Sequence, residues 1–447
     1  MPSRPSPRTA ALVVSATLVA ALTACAPTAA EPGSTASATS YSTTVPSDPV
    51  TLTIAYCDRH PVEDLYEGFK VKYPNVTINP QYQECSNFST DVVNQLTGAN
   101  PPDIVEYVDA AIQTTAPAGA VLDLAPYVEL YGWDTKFPTS QLQQLQLSSN
   151  GRVHGEGSQY GIPGGASFVG AFYNKDLMTR AGIAAVPATI ADFQASLEQA
   201  KAAGVTPIAL GAQDDGGIHL WGALASSLMG AQAAQDWVNG KQGATIAVDG
   251  AIQAAQYVAD WANAGYFSPS PNGVSENDAR ADFSRGSALY TIDGSWSMST
   301  LQMADPAGEQ FGFIHFPVNQ AGDGATGQGF TAGFAISSKS PHADIAAAFL
   351  DYLASPEAAE ITVNIGMLPV NTDPAVAPAP KTFTATGLRD GYNAALAANG
   401  IVTFFDHASP TMHTTMTQGL QGVISGQLAP SDFIAQLQAD WEAYHTS

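Results

Sequence analysis

The chain has 447 residues, 45% hydrophobic and 9% aromatic, so it can bury a large core, and its length points to two domains or three. Only 13% of residues are charged, and 40 acids against 16 bases leave a net charge of −24, which disfavours nucleic acid and bare anionic membrane as partners. Three cysteines exclude a disulfide scaffold and a multi-cysteine zinc module.

Arg4 and Arg8 precede the apolar run Ala10–Leu22. That run is shorter than the roughly 20 residues of a membrane span and has the flanks of a secretory signal. It leads into Leu22-Thr23-Ala24-Cys25, which resembles the lipobox of bacterial lipoproteins. Residues 1–24 are therefore expected to be a signal peptide, and Cys25 the lipidated mature N-terminus. A plain signal peptide with a chance Cys25 is the alternative. Residues 26–49, rich in Ala, Pro, Ser and Thr, read as a flexible tether. Removing residues 1–24 takes away two Arg, giving 14 − 40 = −26 for the mature chain. The expected location is outside the cell, with the membrane touched only through the lipid.

From Val50 onward, predicted strands alternate with helices, which argues an α/β fold with mostly parallel sheets. The strands Val50–Tyr56 and Val76–Tyr82 lead to Cys57 and towards Cys85. Were they parallel neighbours, the two cysteines would share a sheet edge and could bridge; two free thiols are the alternative. Pro61 opens a helix whose Val62, Leu65, Tyr66 and Phe69 share a face. Ser86 or Asn87 is the expected cap of the next helix, with Phe88, Val92, Val93 and Leu96 inward. Asp103–Tyr107 reads as a third strand. Thr189 is placed to cap Ile190–Ala203, and Thr206–Leu210 reads as a strand. The tail Asp344–Tyr444 is mostly helical, with starts at Ser355-Pro356 and Ser431-Asp432.

No catalytic constellation stands out. The eight histidines lack metal-ligand spacing, and Gly165-Ala-Ser167-Phe-Val-Gly170 is one residue too long for a nucleophile elbow. Gly322-Asp-Gly324-Ala-Thr-Gly327 fits a dinucleotide pattern formally, but a strand follows it where a helix is needed. No cofactor, metal or catalytic residue is assigned. Asp214-Asp215 could serve glycoside cleavage, although adjacent carboxylates in a Gly-rich loop are more often solvated or ligand-binding. What recurs is aromatics beside polar groups at predicted strand ends: Asp293 with Trp296, His219 with Trp221, and Tyr107 with Asp109. Ligands of open α/β sheets gather there. A sugar offers an apolar face to such rings and hydroxyls to such acids.

The chain resembles the extracellular solute-binding proteins of ABC transporters, in the group similar to sugar- and maltose-binding proteins. The pieces that carry the resemblance, in order, are Phe69–Val76, Pro101-Pro-Asp-Ile104, Gly119–Leu124, Tyr160-Gly-Ile-Pro163, Phe172-Tyr-Asn-Lys-Asp-Leu177 with Ala181-Gly-Ile183, Asp293-Gly-Ser-Trp296 and Ala347–Leu350. Ala188-Thr189-Ile190 departs from the family's Thr-Trp at that point. The resemblance implies a periplasmic-binding-protein-like fold of type II, with two α/β lobes and a ligand cleft between them. The chain would cross the hinge near Tyr160–Ile162, Phe330–Gly333 and Leu368–Val370. That puts 50–160 plus 333–369 in the first lobe and 161–332 plus 370–447 in the second.

By position, Trp296 resembles the family's stacking Trp, with Asp293 beside it. Tyr107 and Asp109 resemble the first-lobe contacts. Gly165 and Ser167 sit where the hinge strand enters the cleft. Trp221 and the segment Phe404-Phe405-Asp406 are further wall candidates. The expected function is a non-catalytic, monomeric lipoprotein that captures a carbohydrate and delivers it to a transporter permease. An exported glycoside hydrolase using Asp214, Asp215 or Asp293 is the runner-up. The same fold holding a polyamine or peptide is the third reading.

Overall fold

The computed structural model describes residues 41–57, 62–83, 85–373 and 375–446, without the side chains of residues 62, 85, 86, 330 and 331. The proposed signal peptide, Cys25 and residues 26–40 lie outside the described residues. Residues 41–446 hold together as one compact unit.

The strands are β1 Val50–Tyr56, β2 Val76–Tyr82, β3 Ile104–Glu106, β4 Gln146–Leu147, β5 Ser158–Gln159, β6 Ile162–Asn174, β7 Thr206–Ile208, β8 Ala288–Gly294, β9 Phe311–His315, β10 Gly327–Ile336 and β11 Ile401–Val402. The main sheet runs β2-β1-β3-β10-β6-β8-β7, with β11 on β10 and β9 on β6. β1 is parallel to β2, from Val50 opposite Val76 to Tyr56 opposite Tyr82, which meets the condition for their following cysteines to share a sheet edge. β10 is antiparallel to both β3 and β6, and β8 is antiparallel to β6, so the centre of the sheet is mixed rather than parallel.

The thirteen-residue strand β6 organises the molecule. Its first half, Ile162–Phe168, pairs with β10. Its second half, Val169–Asn174, pairs with β8 and β9. Strand side chains alternate between faces. Val169, Ala171 and Tyr173 accordingly enter one apolar cluster, while Ala166, Phe168 and Phe172 enter another. Burial on both faces explains why the segment reads as an almost continuous apolar run.

The core divides along the sheet. Leu52, Phe69, Trp133 and Phe349 belong to one large cluster. Phe193, Trp221, Trp237, Trp261 and Phe433 belong to another. The helix Val62–Lys72 contributes Leu65, Tyr66 and Phe69 to the first, as its spacing predicts. The helix Ile190–Ala202 feeds Phe193, Leu197 and Ala200 into the second, and Thr189 caps it reciprocally with Asp192.

Two expectations need correction. The second helix begins at Cys85, so Ser86 and Asn87 lie inside its first turn rather than capping it. Residues 41–49, read as the end of a tether, instead lie on the body. Tyr41 stands edge-on to Tyr127 at 5.0 Å, the Ser42 amide donates to Asp344 at 2.9 Å, and Asn75 Nδ2 donates to the Pro46 carbonyl at 2.7 Å. One aromatic contact and a few hydrogen bonds outweigh a composition that otherwise signals a linker. Among the described residues no helix is long and apolar enough to cross a membrane. Cys57 is disulfide-bonded.

Candidate ligand-binding site

β8 is buried along all seven residues and delivers Asp293 to its carboxyl end. The chain then turns through Gly294 into the short 3-10 helix Ser295–Ser297. A Cβ at Gly294 would overlap the Trp296 ring, so glycine is what allows the indole to fold back over the strand end. Trp296 is half-buried. Its ring lies 5.2 Å from the His219 ring and 6.0 Å from the Phe404 ring, and His219 and Phe404 are 5.7 Å apart. These rings form a wall from three separate stretches of chain.

Behind the wall is a buried ionic network. His219 sits in the first turn of the helix Gly216–Met229, and its Nδ1 meets Glu276 Oε1 at 2.5 Å. Arg280 Nη2 donates to the other Glu276 oxygen at 2.9 Å. Arg280 also grips Asp293 with two donors, Nε at 2.7 Å and Nη2 at 3.0 Å, and donates to Ser297 Oγ at 2.7 Å. A planar guanidinium suits this fork-like grip, and charges alternate through the network. Burial opposes a charge on His219, but Glu276, Asp215 and Asp293 outweigh it and push its pKa up to about 9. His219, Glu276 and Asp293 offer donor atoms within 4.8 Å of one another, as metal ligands do. Arg280 already supplies the positive charge among them, so the donor set does not call for an ion.

On the other side, Asp109 opens the helix Asp109–Thr115 and is 4% exposed. It meets His407 Nδ1 at 2.5 Å and His154 Nδ1 at 3.4 Å. His154 Nε2 in turn lies 2.9 Å from Gln113. Burial would raise the Asp109 pKa, but the two histidines hold it below the usual carboxylate range. Burial likewise opposes the charge on His407, yet Asp109 and Asp406 push it up to about 9. His154, also buried, is held below its ordinary value chiefly by that burial. The His407 ring is 5.6 Å from Phe404, so this cluster adjoins the aromatic wall.

Trp296 and the Asp109–His407 pair therefore flank Phe404, with Asp406 half-buried beside it. Asp293, expected as a ligand contact, is instead wholly buried behind the wall with both carboxylate oxygens held by Arg280, so it supports the turn that carries Trp296. Other expected site residues lie elsewhere. Trp221 is wholly buried, donates Nε1 to the Ala251 carbonyl at 3.4 Å and packs edge-on against Phe405 and Phe433. Phe405 is equally buried, so both are core side chains. Tyr107 is 1% exposed, and a Cβ at Gly161 or Gly333 would crowd it, so its ring fills the packing beside β6 and β10. Gly165 is half-buried and Ser167 buried, both within the β6–β10 ladder. His219, Glu276, Arg280, His154 and His407 were not singled out as ligand contacts from sequence. His219 was noticed only as a neighbour of Trp221. The Asp214 carboxylate accepts from the Glu276 amide at 2.7 Å, and Asp215 meets His413 at 2.7 Å.

Residues 61–360 match the family model described as bacterial extracellular solute-binding protein. The chain belongs to that family. Among curated relatives of this solute-binding protein, a multiple sugar-binding protein of Streptococcus mutans is 29% identical over 47% of the chain and 51% of the relative. A probable sugar-binding periplasmic protein of Mesorhizobium japonicum is 27% identical over 50% of the chain and 51% of the relative. The chain thus spans about half the length of the curated relatives it matches. A solved chitin oligosaccharide binding protein superposes with a TM-score of 0.72 at 23% identity, covering 90% of this chain and all of that one. The α/β architecture is that of the type II periplasmic-binding-protein-like fold.

Proposed function

We propose that this protein captures a carbohydrate outside the cell, without transforming it, and hands it to an ABC transporter permease. The observation that carries the reading is the wall of Trp296, His219 and Phe404, with the half-buried His407 and Asp406 at its edge. Rings cover the C–H face of a pyranose while polar groups at their edge take its hydroxyls. The names of the two curated relatives, both sugar-binding, support it. In this reading Cys25 carries the lipid, the chain is a monomer, and Cys57 is bridged to Cys85. Residues 50–160 plus 333–369 form one lobe and 161–332 plus 370–447 the other. The chain segments at β6, β10 and Leu368 would act as hinge; Ala166 already pairs with Leu368, and Ser167 with Phe330.

A hydrolase using Asp214 has one observation in its favour, since burial raises the pKa of that carboxyl. The same carboxylate is committed to the amide at the start of the helix Glu276–Ser284, which gives it a structural task. The test is a thermal-shift and calorimetric screen of the mature protein against maltotriose, raffinose, xylotriose and chitotriose, with chromatography of each mixture. Stabilisation by a sugar that is recovered intact is expected; a ligand at 100 times its Kd adds about 2.7 kcal/mol. Cleaved sugar, or a response to polyamines or peptides alone, would overturn the reading.

A further inference from the structure

His219 is more than a member of the aromatic wall. Its Nδ1 is taken by Glu276 at 2.5 Å, while its Nε2 makes no hydrogen bond among the described residues. The residue is 8% exposed and lies against Trp296 and Phe404, with Nε2 still open to the surface of the wall, where a ligand oxygen can replace water on its N–H. We propose that Nε2–H of His219 donates to an acceptor oxygen of the ligand resting on Trp296, and that the ligand chosen this way is a neutral sugar rather than a uronate. The inference rests on the carbohydrate reading above.

The choice of a neutral ligand follows from counting charges around the donor. His219 has Glu276, His413 has Asp215 and His407 has Asp109 as its own carboxylate. Arg280 is shared between Asp293 and Glu276. Among the described residues the wall therefore holds no surplus positive charge to offset an incoming carboxylate, and a desolvated uronate would meet Asp293, Asp215 and Asp109 nearby. An ether or hydroxyl oxygen needs only the N–H, and an imidazolium donor gives the stronger, charge-assisted bond. The charged and titratable groups facing His219 are Glu276 and Arg280 on the neighbouring helix, Asp293 on β8 and Asp215 at the start of its own helix. They keep it protonated through neutral pH, its pKa being pushed up to about 9.

The experiment is calorimetric titration of the parent, His219→Phe and His219→Gln with maltotriose, raffinose, xylotriose, chitotriose and trigalacturonate, with melts recorded without ligand. Phe keeps the ring packing and removes the donor; Gln keeps an uncharged donor. The parent should bind at least one neutral trisaccharide, and trigalacturonate more weakly. His219→Phe should lose about ten- to a hundredfold in affinity for that sugar, as expected for a charge-assisted bond. His219→Gln should recover part of the loss. Parent affinity should also fall as pH rises through about 9, with a step that His219→Gln lacks; the difference removes the contribution of His407, which titrates in the same range. Equal affinity of parent and His219→Phe, or preference for trigalacturonate, would overturn the inference while leaving carbohydrate binding intact. Binding of none of the five by the parent would remove both. Should His219→Phe not fold, the pH step of the parent against His219→Gln decides.

Discussion

Nδ1 of His407 lies 2.5 Å from the Asp109 carboxylate, joining the 3-10 turn Phe405–Ala408 to the helix Asp109–Thr115, residues almost three hundred apart in sequence. Asp109 is 4% exposed, so its charge relies on this partner, with His154 behind it at 3.4 Å. Breaking a buried pair from one side typically costs several kcal/mol because a charge is left without compensation. His407→Gln should therefore destabilise the protein by on the order of 3 kcal/mol near neutral pH.

The same pair sets a pH dependence whose sign can be worked out. His407 is raised from its ordinary 6.5 to about 9, so its stabilising contribution is complete below about pH 6.5 and fades as pH rises through 9. Asp109 is lowered, so its contribution is present above about pH 4 and is lost on acidification through its lower folded value. The melting advantage of the parent over His407→Gln should thus be largest between about pH 4.5 and 6.5 and narrow by pH 9.5. An advantage that grows with alkalinity would show that the pair is not ionised as drawn.

Trp221 and Trp296 should behave as opposites. Trp221 is wholly buried against Phe405 and Phe433, and Trp221→Ala should cost about 3–5 kcal/mol of stability. Trp296 is half-buried, so Trp296→Ala should leave a cooperative melt close to the parent's. It should weaken binding of the sugar about thirtyfold or more, the size of an interface hot spot of about 2 kcal/mol. Calorimetry beside unfolding of both variants separates the two roles.

Arg280 holds Asp293 and Glu276 together, and Arg280→Met should leave both acids buried without their cation. A loss of about 3–5 kcal/mol is expected, measured by urea unfolding. Arg280→Lys should rescue only part of it, because one ammonium cannot reproduce the two-donor grip on Asp293.

Reduction of the bond at Cys57 should also destabilise. With Cys85 as the proposed partner, the closed loop spans about 28 residues, for which chain entropy suggests roughly 3–4 kcal/mol. Non-reducing peptide mapping should find the linked pair, and two alkylatable thiols in the native protein would remove it.

Much of the fold was legible because its signals are local. The runs of β1 and β2, the Thr189 cap and the apolar face of Val62–Lys72 each lie within a dozen residues. Trp296 was legible for the same reason, since a buried strand followed by Gly-Ser-Trp marks a strand end. The ionic networks were not, because Arg280 and His407 acquire meaning only from partners that tertiary packing brings to them. Trp221 was placed by proximity to a Gly-rich loop. It lies on the helix Gly216–Met229 two residues beyond His219, and that rotation turns its ring onto Phe405 and Phe433 in the core while His219 lies against Trp296. Strand order was legible only in part: the antiparallel insertion of β10 between β3 and β6 depends on contacts far apart in sequence.

The docking of residues 41–49 changes what a lipid at Cys25 could do. Tyr41 and Ser42 are held against Tyr127 and Asp344, so a proposed tether from Cys25 would meet the body at residue 41 rather than at residue 50. With Cys25 as the proposed anchor, about fifteen residues remain to bridge bilayer and body, a span that covalent geometry limits to roughly 54 Å, in place of roughly 86 Å for the longer segment. Were Cys25 lipidated, the shorter connection would confine the body to a thinner shell above the bilayer and raise its effective concentration at a membrane partner. Cutting Tyr41 away from Tyr127 would lengthen that tether without touching the ligand wall.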